Sequence, residues 1–190
     1  MAWGSAQSYI PKSATTAASC QLTAWTCDPT VAPATPGMYG GTIYFCRAYI
    51  DQNVASNNVY LAQIAAGVTL TNCYVGVYQA IAGGNRLAQT ADISTTLTAA
   101  PTAPLTIPLT STVSAMAINT EIWLSILIGS QGTAPTFVGL SNYGTNLGMS
   151  SDYRLWVSTA TNNTSLPTTV PAITAAASNA QTIPFIGMGP

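Results

Sequence analysis

The chain has 190 residues, of which 48% are hydrophobic and 5% charged, with a net charge of −1 and no histidine. That length fits one domain with tails and allows a substantial core, while the charged fraction lies far below the roughly 25% of ordinary soluble domains. The near-neutral balance excludes long-range attraction to nucleic acid or to an anionic membrane surface, and the lack of histidine excludes Ser-His-Asp, Cys-His and any histidine base.

Residues 1–36 carry Pro11, Pro29, Pro33 and Pro36 among small polar residues, as an extended arm would. No apolar stretch accompanies Lys12, so no secretory signal is expected there. Period-two alternation begins at residues 39–50, "YGGTIYFCRAYI". Ile43, Phe45 and Tyr49 share one face and Tyr44, Cys46 and Ile50 the other, which predicts a central strand covered on both sides. Residues 59–65 form a shorter candidate. Residues 73–80 place Cys73, Val75 and Val77 opposite Tyr74, Gly76 and Tyr78.

The following "AGGN" (82–85) leads into "RLAQT" and not into a helix. A hairpin turn with Gly83 and Gly84 at positive φ is therefore expected, and a phosphate cradle is not. Leu105, Ile107 and Leu109 alternate with Thr106, Pro108 and Thr110, and Pro108 makes this run an edge strand. Residues 121–128 alternate most clearly, with Ile122, Leu124, Ile126 and Ile128 on one face. Their apolar run is far shorter than the roughly 20 residues that cross a bilayer. Residues 137–140 and 153–157 complete the series.

Short strands broken by Gly, Pro and Asn predict an all-β antiparallel sandwich, jelly-roll-like, with extended terminal segments. Residues 159–182 are low in complexity, and the closing "IPFIGMGP" is apolar enough to dock on the parent sheet or on a neighbour. The expected organisation is an arm over 1–36 serving anchoring or subunit contact, a sandwich over 37–158 and an extended segment over 159–190.

Cys20, Cys27, Cys46 and Cys73 allow three complete pairings. Cys46 and Cys73 read as buried apolar residues within strands, while a Cys20–Cys27 loop and a thiol pair are both open. The spacing does not suit a zinc site, and no cofactor or metal is expected. Five carboxylates remain for chemistry: Asp28, Asp51, Asp92, Glu121 and Asp152. Two of them across a sugar bond would suffice for a glycosidase. Most, however, fall at turn or strand-end positions, where Asp forms turns, so no catalytic residue is assigned and a non-enzymatic role is expected.

The aromatics carry more information. Tyr74, Tyr78, Trp123 and Trp156 fall on the polar side of their strands by alternation. Such rings can pack a second face, fill a subunit contact or stack on a sugar, and packing or subunit contact is favoured. These four form the candidate subunit or glycan contact surface. Arg47 and Arg154 lie within strands and need carboxylate partners, with Asp51 and Asp152 as candidates.

Residues 75–95, "VGVYQAIAGGNRLAQTADIST", resemble the G-L-Y-x-x-x-G-x-x-L-A-x-T-A-D-x-S stretch of virion proteins from phages infecting actinobacteria, a family of minor tail, head decoration and fibre proteins. "GGTIYFCRAYI" (40–50), "PLTIPLTSTVSA" (104–115) and "EIWLSILIGSQGTAPTFVG" (121–139) agree with it in order. "AINTE" (117–121) departs from the family's A-G before its W/Y strand, and the short upstream arm favours head decoration over a tail-tip adhesin. The resemblance implies a β-sandwich displayed on the particle exterior, commonly as a trimer. It would be made in the host cytoplasm and bound to capsid or tail proteins. Recognition of a host cell-surface glycan through the aromatics is the alternative. Neither reading involves nucleic acid or membrane insertion.

Overall fold

The computed structural model describes residues 16–29, 38–80, 83–101, 104–140, 155–158, 160–171 and 183–190. In chain order its strands are β1 (Ala24–Trp25), β2 (Thr42–Tyr49), β3 (Ser56–Leu61), β4 (Gln63–Ala65), β5 (Thr71–Gln79), β6 (Arg86–Gln89), β7 (Leu105–Val113), β8 (Glu121–Ser130), β9 (Thr136–Phe137), β10 (Gly139–Leu140), β11 (Leu155–Val157), β12 (Ile183–Pro184) and β13 (Ile186–Gly189). One sheet runs β11-β2-β8-β5-β6 and a second β1-β13-β3-β7, with all neighbours antiparallel. The pairs β4–β9 and β10–β12 add two short ladders. The protein is an all-β antiparallel sandwich.

Alternation explains the layers. From β8, Ile122, Leu124, Ile126 and Ile128 enter the main core between the sheets, where they meet Tyr44 and Cys46 of β2 and Val75 and Val77 of β5. The opposite positions of the same strands, Ile43, Phe45, Tyr78, Trp123 and Leu127, build a second cluster on the outer face. Across β2, β8 and β5 the register rows run Ile43–Leu127–Tyr74, Phe45–Ser125–Gly76 and Arg47–Trp123–Tyr78, with the β8 residue in the middle of each. On the other sheet Val59, Leu61, Ile107, Ile186 and Met188 face the main core.

Pro108 sits on β7 at the edge of the four-stranded sheet, as its missing N–H requires. The two sheets are tied on that side by a bridge between Thr90 and Leu109 and by the Thr110 hydroxyl donating to the Gln89 carbonyl. In the β5–β6 hairpin Gly83 has φ +78°, while Gly84 is not in the left-handed region. The turn therefore needs one glycine in that conformation where the sequence suggested two.

The sandwich extends beyond 37–158 at both ends. Residues 16–29 pack on it: the Ala18 N–H donates to Asp51, and the Gln52 amide donates to the carbonyls of Ala18 and Leu22. β1 forms the far edge of the four-stranded sheet, and β13 lies between β1 and β3. "IPFIGMGP" thus docks on its own parent fold, with Ile183, Ile186 and Met188 almost wholly buried. An arm of small polar residues hides this pairing in the sequence, because two residues suffice for β1. We expect Ile186→Asp to abolish cooperative folding, since it sets an unpaired carboxylate between two strands; a cooperative urea transition with native near-UV circular dichroism would contradict this.

Candidate functional site

The face expected to carry the contact aromatics is closed. Residues 160–171 cross the outer side of the five-stranded sheet as an irregular strap, placing Leu166 and Val170 in the second cluster with Tyr78 and Trp123. Tyr78 and Trp123 are buried, and Tyr74 is half-buried beside them. Gly76 makes the close approach possible, because a Cβ there would lie 2.8 Å from Leu166 Cδ1 and 2.9 Å from the Ser125 hydroxyl. Tyr78 and Trp123 therefore do not form an exposed subunit or glycan platform. They are a second core, as a sheet apolar on both faces demands. Trp156 holds its backbone place on β11 opposite Phe45, and its side chain lies outside the described residues.

Polar groups hold the strap. The Arg86 guanidinium donates to the carbonyls of Leu166 (2.7 Å) and Pro167 (3.2 Å), and the Tyr78 hydroxyl donates to Pro167 (2.9 Å). Backbone bonds join Arg86 to Thr168 and link Val170 with both Gly83 and Gly84. At the other end the Asn163 amide donates to the Gly41 carbonyl at 2.7 Å. Burial pushes the Tyr78 phenol up to about 12, against the lowering effect of Arg86, so it remains a neutral donor at ordinary pH. The sequence signal for the strap was slight: two apolar-proline pairs, Leu166-Pro167 and Val170-Pro171, in a low-complexity stretch.

"TAD" at residues 90–92 has a structural task. Thr90 is fully buried; its N–H donates to the Val75 carbonyl and its hydroxyl oxygen accepts the Val75 N–H. Asp92 accepts the backbone N–H groups of Asn72, Cys73 and Ser94 and the Ser94 hydroxyl. It thereby joins the start of β5 to the start of the short helix α1 (Ser94–Thr98), whose Leu97 is buried in the main core. Partial burial raises the Asp92 pKa, but the bonds from Ser94, Cys73 and Asn72 outweigh it and hold the carboxyl below its ordinary value. One turn of helix is too short to leave a period in the sequence, and none was expected there.

Among the described residues, Arg47 has a partner that the sequence did not suggest. It pairs with Glu121 at 3.1 Å, diagonally across β2 and β8, and lies 5.7 Å from the centroid of the Trp123 ring. Asp51 instead receives the Ala18 N–H, while Asp152 and Arg154 lie outside the described residues. The four cysteines are thiols, three buried and Cys20 exposed, so the Cys20–Cys27 loop is not formed. Burial raises the Cys73 thiol pKa, leaving a poor nucleophile.

Among the described residues, two open clefts stand out. The larger, about 670 Å³, lies at one end of the sandwich between the end of β5, the end of β7 and the start of β8. The smaller, about 460 Å³, is lined by Trp25, Tyr60 and Phe185 on the outer face of the four-stranded sheet. No family model matches the chain, and no curated protein matches it.

Leu166→Ala should cost about 2–5 kcal/mol in urea unfolding and red-shift tryptophan emission as the strap loosens over Trp123; an unchanged midpoint would contradict the strap's role. Asp92→Asn should lower the midpoint at neutral pH. With a folded pKa below the unfolded value of about 3.9, the charge stabilises above that value. The advantage of wild type over Asp92→Asn should therefore fade as pH drops from about 6 to about 2, and a gap that persists in acid would show that the charge is not responsible.

Proposed function

We propose that the chain is a non-enzymatic structural protein of a bacteriophage particle, displayed on its exterior as a capsid decoration or minor tail protein and bound to capsid or tail subunits. The observation that carries this reading is the strand order. The four- and five-stranded sheets without β11 comprise eight strands, and in chain order they stack as first-eighth-third-sixth on second-seventh-fourth-fifth. That interleaving supports a jelly-roll reading of the sandwich, an architecture used by viral capsid and lectin domains. Fold analogy alone does not assign a task, so a second support is needed.

That support comes from the stretches resembling the phage virion family. "TAD" supplies the Thr90 and Asp92 clasps. "GTAP-x-F" supplies the Val68–Thr133 bridge and the buried Phe137. The resemblance lies in residues that build this fold. A surface of hydroxyls and amides adds little repulsion between neighbours, which suits subunits assembled at high density, here as a homotrimer. With the Tyr78–Trp123 face closed by the strap, partner contacts fall to exposed apolar residues such as Tyr39, Ile64, Val68 and Ile118.

Electron-microscopic reconstruction of the particle that encodes this chain tests the proposal. Density repeating over the icosahedral lattice identifies decoration, and density at the tail alone identifies a tail protein. A particle containing neither the density nor the chain by mass spectrometry overturns the reading.

A further inference from the structure

The smaller cleft lies on the outer face of the four-stranded sheet, and the register shows how its floor is built. β1, β13 and β3 bring Trp25, Gly187 and Tyr60 into one row. Their neighbours Ala24, Met188, Val59 and Leu61 belong to the main core, so alternation turns the row outward. Leu22 and Phe185 settle over Gly187, where a Cβ would lie 2.9 Å from Leu22 Cδ1 and 3.3 Å from Phe185 Cζ. Trp25 meets Phe185 edge to face with ring centroids 6.3 Å apart, and Tyr60 packs on the same cluster. Leu22 and Phe185 are buried, whereas Trp25 and Tyr60 are half-buried. Pro29, Pro104 and Pro190 also line the cleft.

This lining selects a ligand class. It includes no charged side chain, so an ionic group would find no counter-charge there. Polar atoms are few: the Tyr60 hydroxyl already donates to Pro190, and the other polar side chains are Gln21, Trp25 and the weakly bonding Cys20 thiol. A sugar would leave most of its hydroxyls without partners. A proline-bearing segment fits better, because proline brings no N–H that an apolar floor would leave unpaired. The fold shows this pairing twice. On the opposite outer face Leu166 of the strap rests in the Tyr78–Trp123 cluster, and the Tyr78 hydroxyl donates to the Pro167 carbonyl at 2.9 Å. Beside the cleft, the Tyr60 hydroxyl and the Asn58 amide hold the Pro190 main-chain oxygen at 2.9 and 2.8 Å. Polyproline II segments are extended before they bind, and aromatic-lined grooves take them at low entropic cost. We propose that this cleft docks an uncharged, proline-rich segment of a partner polypeptide in the polyproline II conformation, its proline rings seated on Trp25, Tyr60 and Phe185. The inference does not depend on the particle role proposed above.

Indole NMR of the full chain, isotope-labelled at tryptophan, tests this with acetylated and amidated decaproline as the probe and a capped Gly-Ser peptide of equal length as the control. Trp25 lines the cleft, whereas Trp123 is buried on the other outer face. Decaproline should shift the Trp25 signal saturably and leave Trp123 in place, and the control should shift neither. In calorimetric titration, Trp25→Ala, which removes a seating ring, should weaken binding by about tenfold or more. Cys20→Trp, which fills the cleft from an exposed position, should do the same and carries the test alone if Trp25→Ala loses the native fold. The proposal is overturned if decaproline leaves Trp25 unmoved, if the Gly-Ser peptide binds as tightly, or if the folded variants bind as wild type does. It is likewise overturned if Trp25 shifts with the concentration of the chain alone and decaproline does not reverse that shift, since a second copy would then be the occupant.

Discussion

β8 is apolar on both faces, and its neighbours β2 and β5 share that property, so the centre of the five-stranded sheet must be covered twice. The four-stranded sheet covers one side and buries Ile122, Leu124, Ile126 and Ile128. The other side holds Phe45, Tyr78, Trp123 and Leu127, which no second sheet meets among the described residues. At roughly 1.5–3 kcal/mol for each large side chain buried, leaving them wet would remove a large part of a typical domain's net stability. The irregular strap answers that constraint, and the register around Gly76 leaves the space in which Leu166 sits.

Among the described residues, five charged side chains serve as fasteners. Arg86 holds strap carbonyls, Asp51 receives the N–H of Ala18, Asp92 clasps three backbone N–H groups, and Arg47 and Glu121 neutralise one another. Each draws two segments distant in sequence together. Such bonds matter more in a chain of short strands, where a two-residue β1 cannot secure its own place. Tyrosine chemistry follows the same economy: burial pushes Tyr44 and Tyr78 up to about 12, so both phenols serve as neutral hydrogen-bonding groups. Because ionisation favours the unfolded chain once pH passes the unfolded value of about 10, these rings add stability below that pH and lose it as pH rises toward the folded value.

The long strands were legible in the sequence because period-two alternation is a direct record of a pleat with different surroundings on its two sides. Pro108 marked the edge, and the alternation of β8 assigned its faces correctly. What stayed hidden has a common cause. β1, the strap and β13 owe their positions to partners far away in the chain, so their local composition reads as tail. Tyr78 and Trp123 were placed on the correct face, but whether that face meets water depends on the strap, whose only trace is a pair of apolar-proline steps. Glu121 was counted among the carboxylates, yet its pairing with Arg47 follows from the β2–β8 register, which a single sequence does not state.

These two kinds of covering bear on how such a protein could meet partners. A sandwich that buries both faces of its main sheet within one chain keeps its large aromatic clusters for itself. What it presents outward is hydroxyl, amide and scattered apolar side chains. Association on such a surface depends on shape and on many weak contacts, so it gains from repetition, as in an array where each copy meets several neighbours. Recognition of a small ligand instead needs a concave place where polar and apolar groups converge. In this fold a cleft of that shape lies at the end of β5 and β7 and the start of β8, with Leu87 and Met116 among its lining. On the reading proposed above, assembly would therefore be spread over many weak contacts on the outside of the fold.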